Sequence, residues 1–464
     1  MTYTHRFHPS ICRANDIRGV VNETLTEEDA YALGRGLATM VVRDGGKSIA
    51  VGRDGRESSP SLADAVCCGI EDSGGIACAI GVGPTPMLYF ATHSLDVSGG
   101  VMVTGSHNPP GYNGFKLVLG TQVFQASTIR RLSRLLESGD LEENGAGTII
   151  YCPVRETYVE AMLDRIEELG SRSCAWDPGN GAVGAVIEDI LGRLPGQHVA
   201  INATVDGTFP AHHPDPSDPD NLLALRELVV TRKCDVGFAF DGDGDRLGIV
   251  DSRGRIVWPD QYLALLARPI LRRMPGAKVI ADVKSSDVLF DVIAAAGGSA
   301  EMCKTGHALV KQRLRETGAI LAGEMSGHIF FADRWFGFDD ALYAALRILE
   351  ALQAEGIEMS EFFDQLPQTS NTPEIRLTCD DAMKFEVVKE VSGIVAARNG
   401  NVIDIDGVRV KSDGGWWLLR ASNTEPALVA RCEARNEQSL TRLKDELAEI
   451  LGRIGVDGSR LYGG

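Results

Sequence analysis

The sequence lacks the features of a membrane, secreted or nucleic-acid-binding protein. No apolar run approaches the roughly 18 residues that a membrane-spanning helix needs. The first residues contain no apolar segment of the kind found in signal peptides. Basic residues are not in excess, because the formal net charge is -18. We therefore expect a cytoplasmic protein without nucleic-acid or membrane partners, although a small anionic substrate needs only a local basic pocket.

Cysteine spacing excludes a further class of site. The ten cysteines contain no C-x-x-C pair, so the spacing typical of structural zinc is absent. Most of them lie in apolar runs. This distribution is typical of reduced, mostly buried thiols in a cytosolic enzyme.

Common nucleotide and hydrolase motifs are also incomplete. The segment "GGKS" (45–48) has Val41 where a Walker A loop requires glycine. Ser106 lacks the flanking glycines of a hydrolase nucleophile elbow. His107 is its sequence neighbour, so we do not expect it to act as the base of a triad. "GNGAVG" (179–184) does fit G-x-G-x-x-G, which leaves a dinucleotide site as an alternative to an ordinary tight turn.

The 464 residues exceed what one hydrophobic core usually holds and suggest three or four domains. Apolar strand-like runs alternate with helix-length segments as far as about residue 368. Helices are predicted in 30–44 and 62–74, and strands in 48–55 and 76–86. Such alternation indicates an α/β architecture with largely parallel sheets.

The alternation occurs in three copies, each with three strand-ending loops. The loops lie at 51–56, 79–86 and 101–108, at 175–181, 203–210 and 237–245, and at 281–286, 301–308 and 320–328. We predict three related α/β domains over 1–150, 151–253 and 254–368. Residues 369–464 differ, with a hairpin signal at "SDGG" and a final helix, and predict a smaller α+β domain.

Ligands of open α/β sheets bind outside the carboxyl ends of strands. The third loop of each copy is therefore the place to look for chemistry. These three loops carry, in order, Ser106, the carboxylates Asp241, Asp243 and Asp245, and the group Glu324, Ser326 and His328.

The acidic loop "DGDGDR" predicts a metal site. Its alternating glycines let three carboxylates turn towards one centre, where they repel each other unless a cation lies among them. Oxygen ligands of this kind suit Mg²⁺. An EF-hand is excluded because Arg246 and Ser252 occupy positions that need glycine and glutamate. A solvated acidic turn is the alternative.

Ser106 has three possible roles, those of a turn residue, a phosphate ligand and a nucleophile. A serine carrying a phosphoryl group beside Mg²⁺ would form a group-transfer site. "GEMSGH" (323–328) offers groups suited to sugar hydroxyls, or a simple turn. "RASNTEP" (420–426) offers an anion cradle or a turn built on serine and threonine. Arg18 and Lys284 are loop cations that could equally belong to solvated ion pairs.

Four motifs resemble those of the α-D-phosphohexomutases, and most closely the bacterial phosphomannomutase/phosphoglucomutase branch. They are "TGSHNPPGYNGFK", "DGDGDRLG", "GEMSGH" and "RASNTEP", in this order. "DIRG", "GVGPTP" and "FPAHHPDP" agree as well, so the resemblance covers nearly the whole chain. It implies four domains around a central cleft and a phosphoserine enzyme that requires Mg²⁺ and acts on hexose phosphates. We expect a monomer.

The resemblance also implies roles for individual residues. Ser106 would carry the phosphoryl group, and Asp241, Asp243 and Asp245 would hold Mg²⁺ together with an oxygen of the phosphoserine. The residues around the transferring group would be Arg18, His107, Lys116 and Arg246. Substrate contacts would come from Lys284, Gly306, His307, Glu324, Ser326 and His328, and the non-reacting phosphate would lie against Arg420, Ser422, Asn423 and Thr424.

The implied reaction interconverts hexose 1-phosphate and hexose 6-phosphate through a 1,6-bisphosphate that reorients in the cleft. That bisphosphate would serve as both intermediate and activator. Met325, in place of the glutamine of other branches, favours mannose and glucose phosphates over glucosamine phosphate. The alternatives are a phosphoglucosamine mutase, a metal-dependent sugar phosphatase and a sugar-phosphate sensor without activity.

Overall fold

Four separate β-sheets follow one another along the chain. The computed structural model describes residues 3–13, 15–143, 147–398, 401–422 and 426–463. Within these ranges, no helix is long and apolar enough to cross a membrane.

The first sheet has the order β1-β5-β4-β2-β3-β7, with β6 paired to β5. Its strands are β1 (Ile17–Val20), β2 (Ser48–Arg53), β3 (Ile76–Val82), β4 (Gly99–Val103), β5 (Tyr112–Leu119), β6 (Gln122–Val123) and β7 (Thr148–Tyr151). The helices of this part are α1 (Glu27–Arg43), α2 (Ser59–Asp72), α3 (Thr85–Ser94) and α4 (Ala126–Ser138).

The second sheet has the order β12-β11-β10-β8-β9. It consists of β8 (Arg172–Asp177), β9 (Gly196–Ala200), β10 (Val236–Phe240), β11 (Leu247–Asp251) and β12 (Ile256–Val257). The helices here are α5 (Arg155–Leu163), α6 (Gly184–Leu191) and α7 (Leu223–Arg232), with a short 3₁₀ helix at Pro219–Leu222.

The third sheet has the order β14-β13-β15-β16. Its strands are β13 (Lys278–Asp282), β14 (Ser299–Cys303), β15 (Leu321–Gly323) and β16 (Ile329–Phe331). The helices are α8 (Pro259–Arg273), α9 (Asp287–Ala295), α10 (His307–Thr317), α11 (Ala341–Glu355) and α12 (Met359–Gln365).

The fourth sheet is antiparallel throughout, with the order β17-β22-β21-β20-β19 and β18 paired to β22. Its strands are β17 (Ser370–Asn371), β18 (Ile375–Thr378), β19 (Asn401–Ile403), β20 (Val408–Ser412), β21 (Gly415–Ala421) and β22 (Ala427–Ala434). Helices α13 (Lys384–Ala397) and α14 (Glu437–Arg453) accompany it, and a 3₁₀ helix lies at Ser459–Tyr462.

The first three sheets share one topology, which confirms the prediction of three related units. The orders β3-β2-β4-β5, β9-β8-β10-β11 and β14-β13-β15-β16 correspond strand for strand. In each, the first three strands are parallel and the last is antiparallel. The last strand is antiparallel because only a short loop joins it to the strand before it, whereas a parallel connection would need a long crossover. The loops with the candidate functional groups are these short reversals.

The predicted elements of the first repeat are confirmed, but its helices begin earlier than the apolar pattern suggested. Helix α1 begins after Thr26, which forms a capping box with Asp29, and α2 begins at Ser59. Polar first turns carry no apolar periodicity, which explains the difference. The predicted "SDGG" hairpin joins β20 to β21, with Gly414 at φ 95°. The expected domain boundary at residue 253 falls between β11 and β12, although these two strands pair within the second sheet.

The hydrophobic cores show which units are packed together. One core runs from the first unit through the second and third and includes Tyr89, Trp176 and Tyr343. The fourth unit has its own core, centred on Trp417 and Leu447. The first three units therefore form one packed platform for the loops, and the fourth is attached to it.

Much of that attachment is polar. Arg409 is fully buried, with its guanidinium 3.7 Å from the ring centroid of Trp416. It donates to the carbonyl oxygens of Val283 (2.6 Å) and Ser285 (2.8 Å) and to Asp287 (2.7 Å). Burial lowers the pKa of Arg409 to about 10. The fourth sheet is thus held against the start of α9 by directional bonds.

A buried carboxylate joins the second unit to the third. Asp340 caps α11 by accepting from the Tyr343 amide at 3.0 Å, and Tyr158 of α5 donates to it at 2.9 Å. Burial raises the pKa of Asp340 to about 7 despite these two donors. The native state therefore holds a proton on this group that the unfolded chain releases.

This proton makes stability depend on pH. Because the native pKa lies above the unfolded value, the stabilisation is complete below about pH 4 and is lost as pH rises through 7. We predict that Asp340→Asn, which keeps the cap, gains stability relative to the wild type by up to about 4 kcal/mol between pH 4 and pH 8. Urea unfolding of both proteins at pH 5 and pH 8 measures the difference. A difference that does not change with pH would contradict it.

Candidate active site

Ser106 lies in the loop between β4 and β5, and only 2% of it is exposed. Its backbone is in the left-handed region, with φ 49°. The side-chain hydroxyl donates to Asp241 Oδ2 at 3.1 Å. The third loop of the first repeat therefore meets the third loop of the second repeat at Ser106 and Asp241, which are 135 residues apart in the sequence.

A buried arginine that the sequence analysis did not single out holds the serine loop in place. Arg56 is 1% exposed. Its guanidinium donates to four backbone carbonyl oxygens of this loop, those of Ser106 (2.8 Å), Asn108 (2.6 Å), Pro109 (2.6 Å) and Tyr112 (2.9 Å). Asp54 accepts from the Arg56 side chain at 3.2 Å and from the Gly105 amide at 3.2 Å. The "RDGR" segment, in the first strand-ending loop of this repeat, thus holds the third strand-ending loop of the same repeat in place.

The three aspartates of the second repeat are fully buried and converge. One carboxylate oxygen from each of Asp241, Asp243 and Asp245 lies within 4.8 Å of the others. Asp241 Oδ1 accepts from the amides of Asp245 (3.0 Å) and Arg246 (3.1 Å), which fixes the turn. Among the described residues, Asp243 Oδ1 has no hydrogen-bond donor. A buried carboxylate oxygen without a donor, beside two further carboxylates, fits a divalent cation such as Mg²⁺.

Cationic side chains surround this cluster. Lys116 Nζ lies 2.6 Å from Asp243 Oδ2 and also contacts Asp245 Oδ2. Burial alone would lower the pKa of Lys116, but Asp243 and Asp245 raise it well above its usual value. Burial raises the pKa of Asp241, and the two neighbouring carboxylates raise it further. Thr85, whose side chain contacts Asp243 Oδ2 and whose amide donates to the Asp243 carbonyl at 2.7 Å, supports the cluster from α3.

Two arginines complete the positive rim. Arg18 pairs with Asp16 at 2.5 Å and contacts Asn108 Oδ1 in the serine loop. Its side chain is 17% exposed, so the pair is partly buried rather than fully solvated. Arg246 has a buried Nε without a hydrogen-bond partner in the described part of the chain. Both side chains are charged donors with capacity left for an anion.

His107 lies within hydrogen-bonding distance of Ser106. Its Nδ1 is 3.2 Å from Ser106 Oγ. The left-handed backbone of Ser106 turns the two side chains towards each other. Burial lowers the pKa of His107 well below its usual value, and Arg246 and Arg18 lower it further. The imidazole is therefore neutral at pH 7.

The third-repeat loop packs directly against the acidic loop of the second repeat. His328 Nε2 lies 3.3 Å from Asp245 Oδ1, its Nδ1 lies 2.8 Å from Ser326 Oγ, and the Leu247 amide donates to Gly327 O at 3.0 Å. Burial alone would lower the pKa of His328, but Asp245 raises it to about 9. The imidazole is therefore cationic at neutral pH.

Glu324 is oriented by a loop amide. Its Oε1 accepts from the Gly306 amide at 2.5 Å, and its Oε2 lies 3.3 Å from His328 Nδ1. Glu324 is 2% exposed, and its pKa is lowered, because His328 and the Gly306 amide outweigh the effect of burial. A fixed carboxylate of this kind can accept hydrogen bonds from sugar hydroxyls.

His307 is held by two residues that carried no motif in the sequence. Asp339 Oδ2 lies 3.2 Å from His307 Nδ1, and Lys311 Nζ lies 2.6 Å from Asp339 Oδ1. The rings of His307 and His328 stack at 5.5 Å. Burial lowers the pKa of His307, and Lys311 lowers it further. Asp339 lies after β16 and Lys311 within α10, so only the fold brings them together.

Lys284 lies at the border between the third and fourth units. Its ammonium contacts Glu374, which precedes β18, and lies 3.8 Å from Asp282. The Lys284 side chain is 7% exposed, so this residue does not form the solvated ion pair that the sequence left open. Lys284 lowers the pKa of Glu374 to about 2.

The predicted phosphate cradle is described in part. Arg420 lies near the end of β21, and its Nε donates to Asp406 at 3.0 Å. Its Nη2 is buried and has no hydrogen-bond partner among the described residues. The Ser422 amide donates to Ala427 O at 2.9 Å. Asn423 and Thr424 lie outside the described residues.

The "GNGAVG" segment has a structural use. Its amides donate to protein carbonyl oxygens, from Asn180 to Asn202 (2.8 Å), from Gly181 to Pro178 (2.8 Å) and from Ala182 to Gly242 (2.9 Å). The last bond supports the acidic loop. Amides engaged in this way favour the tight turn over the dinucleotide site.

Comparison with known families agrees with this architecture. Four family profiles match consecutive parts of the chain. They are "Phosphoglucomutase/phosphomannomutase, alpha/beta/alpha domain I" over 10–141, domain II over 156–254, domain III over 258–370 and the C-terminal domain over 374–450.

Individual proteins agree as well. The phosphomannomutase/phosphoglucomutase of Pseudomonas aeruginosa is 43% identical over 435 residues, covering 94% of each chain. The phosphoglucomutase of Neisseria gonorrhoeae is 42% identical over 444 residues, covering 95% of this chain and 96% of its own. A crystal structure of a family protein from Burkholderia thailandensis superposes with a TM-score of 0.92 at 38% identity, covering 97% of this chain and 99% of that one. The chain belongs to the phosphoglucomutase/phosphomannomutase family and is a mutase enzyme.

The role of Arg56 as a loop anchor leads to a prediction. Arg56→Lys removes the forked guanidinium, and a single ammonium cannot hold four carbonyl oxygens. We expect kcat/KM to fall about 100-fold, because misplacing a reacting group by about 1 Å costs that much. Steady-state mutase kinetics measure the loss, and Arg43→Lys, at an exposed ion pair, should stay within threefold of the wild type. Near-normal activity of Arg56→Lys would show that the loop does not need this anchor.

Proposed function

We propose that the enzyme interconverts hexose 1-phosphate and hexose 6-phosphate of mannose or glucose, using a phosphoryl group carried on Ser106. The contact between Ser106 Oγ and Asp241 at 3.1 Å supports this most directly. It places a hydroxyl at the edge of three converging carboxylates, inside a ring of cationic side chains. A turn-forming serine needs none of these neighbours.

The donor side of the site suits phosphoryl transfer. The transition state spreads negative charge over the phosphoryl oxygens, and fixed positive groups stabilise it. Lys116, Arg18 and Arg246 supply those charges around Ser106. His107 is neutral and within hydrogen-bonding distance of the hydroxyl, so it can take the proton when Ser106 accepts a phosphoryl group. Because burial lowers its pKa, this imidazole is neutral rather than a fixed cation near pH 7.

The acceptor side recognises the sugar and its second phosphate. Glu324 and Ser326 face the acidic loop and can hydrogen-bond two sugar hydroxyls. The residues beside them are Lys284, Gly306, His307 and His328. Arg420 and Ser422, with Asn423 and Thr424, hold the phosphate that is not reacting. Because donor and cradle lie on different units, a 1,6-bisphosphate can leave Ser106, turn around and return its other phosphate.

The same acidic cluster carries the metal proposal. Asp241, Asp243 and Asp245 would hold Mg²⁺ together with an oxygen on Ser106. When bound, Mg²⁺ neutralises charge on the phosphoryl oxygens. The low exposure of Ser106 keeps water from the serine, which favours a mutase over the phosphatase alternative. Glucose or mannose 1,6-bisphosphate would act as activator by charging Ser106.

Further features of the proposal concern the whole chain. We propose domains at 1–150, 151–253, 254–368 and 369–464, with the short strand β12 of the third domain pairing with β11 of the second. The ten free thiols support a reducing compartment, the cytoplasm. We also propose that the protein acts as a monomer.

Removing the hydroxyl tests the phosphoserine. We expect Ser106→Ala to lower kcat by more than about 10³-fold while binding of glucose 1-phosphate stays within threefold, because the cradle is intact. A coupled assay for glucose 6-phosphate and calorimetry measure the two quantities. Ser127→Ala, on the exposed start of α4, is the control. Substantial turnover by Ser106→Ala would refute the role, and release of inorganic phosphate by the wild type would favour a phosphatase.

Neutralising one carboxylate tests the metal site. Asp243→Asn removes a full charge from the cluster, so we expect the Mg²⁺ concentration for half-maximal rate to rise at least tenfold. A Mg²⁺ titration of the mutase rate measures this. The exposed Asp218→Asn provides a charge-matched control. Identical titration curves for Asp243→Asn and wild type would rule out Asp243 as a ligand.

A further inference from the structure

One carboxylate joins two parts of the substrate site that come from different units. Asp406 lies in the turn between β19 and β20, and 17% of its side chain is exposed. Its Oδ2 accepts from Arg420 Nε at 3.0 Å and from the Thr305 amide at 3.1 Å. Arg420 belongs to the fourth unit, whereas Thr305 belongs to the loop before α10 in the third. No family motif in the sequence pointed to Asp406.

On the Arg420 side, the carboxylate fixes one edge of the guanidinium. The Nη2 group is buried and has no hydrogen-bond partner among the described residues. Because a guanidinium is planar and rigid, fixing Nε fixes the direction of its other N–H groups. Asp406 therefore orients the donors that the proposed function assigns to the non-reacting phosphate.

On the Thr305 side, the chain of bonds continues to the sugar-binding loop. The Thr305 hydroxyl donates to Asp282 at 3.2 Å. The next residue, Gly306, donates its amide to Glu324 Oε1 at 2.5 Å. Gly306 has φ 131°, a conformation that side chains rarely adopt. The position of Thr305 thus sets the amide that orients Glu324.

We propose that Asp406 is a positioning residue that couples phosphate binding at Arg420 to sugar-hydroxyl binding at Glu324. The inference rests on the proposed function, since it takes the ligand to be a hexose phosphate. A phosphate on Arg420 and a sugar on Glu324 pull the two units together through this carboxylate. Engagement of one end of the substrate then prepares the site for the other end, in either orientation of the sugar.

A different cross-unit pair shows what a purely structural contact looks like. Arg409 and Asp287 also join the fourth unit to the third, at 2.7 Å. Neither of them contacts Arg420 or Glu324 in the described hydrogen bonds. Asp287→Asn is therefore a matched control for loss of a cross-unit ion pair. Asp404→Asn, at an exposed position two residues before Asp406, controls for the change of charge.

The experiment is a double-mutant cycle on the full chain. Wild type, Asp406→Asn, Glu324→Gln and the double variant are titrated with glucose 1-phosphate by calorimetry without Mg²⁺, and kcat and KM are measured with Mg²⁺. We expect Asp406→Asn to weaken binding about tenfold, because charge-assisted hydrogen bonds become neutral ones. The double variant should bind at least threefold more tightly than the product of the two single losses predicts. Asp404→Asn and Asp287→Asn should stay within twofold of wild type.

Two results would overturn the proposal. One is an affinity of Asp406→Asn for glucose 1-phosphate that lies within twofold of the affinities of the two control variants. The other is a double variant whose loss equals the product of the single losses, since independent sites behave in that way. Thermal unfolding checks that each variant folds. If Asp406→Asn does not fold, Asp406→Glu, which keeps the charge but displaces it, replaces it in the same cycle. The binding cycle needs no turnover, so absence of mutase activity in the wild type would count against the proposed function alone.

Discussion

Three buried carboxylates impose the main constraint on this protein. Asp241, Asp243 and Asp245 are fully buried within a few ångströms of each other, and such an arrangement is unstable unless positive charge surrounds it. Lys116 arrives from the first unit and His328 from the third. The need to balance this charge therefore draws three units to one point. Arg18 and Arg246 add cationic donors at the edge of this cluster, where the proposed anionic substrate would lie.

The way the units are joined follows from where rigidity is needed. The first three share a continuous apolar core, which holds the reacting groups in a fixed geometry. The fourth has a separate core. It meets the third through ion pairs and hydrogen bonds, including those of Arg409, Lys284 and Asp406, and through a small apolar cluster of Val283, Trp416 and Leu418. Apolar packing tolerates little relative motion, whereas polar contacts can be exchanged for contacts with a ligand. The proposed phosphate cradle is therefore on the unit whose contacts a ligand can most readily replace.

Repetition explains why so much of the fold could be predicted. Each copy has three strand-ending loops. Apolar residues recur every two positions in strands and about every 3.6 positions in helices, and this alternation can be recognised in a single sequence. The antiparallel fourth strand of each copy was less evident, because it follows the functional loop at a distance that no periodicity marks. Helix starts were missed by a few residues because capping residues are polar. The loop positions, however, followed directly from the strand ends.

Residues with short, dense motifs could be found from the sequence, since glycine, aspartate and serine in a tight loop have few other uses. Arg56, Asp339, Lys311 and Asp406 could not, because each is an ordinary charged residue whose importance lies in its partner.

The sequence by itself determined the three repeats, the acidic loop and the serine loop, since these depend on local spacing and composition. Only the tertiary structure decided that Ser106 reaches Asp241, that His107 turns back towards Ser106, and that Asp406 spans two units. Contacts between residues as far apart as the 135 positions that separate Ser106 from Asp241 depend on how whole units pack, and no local pattern records that packing.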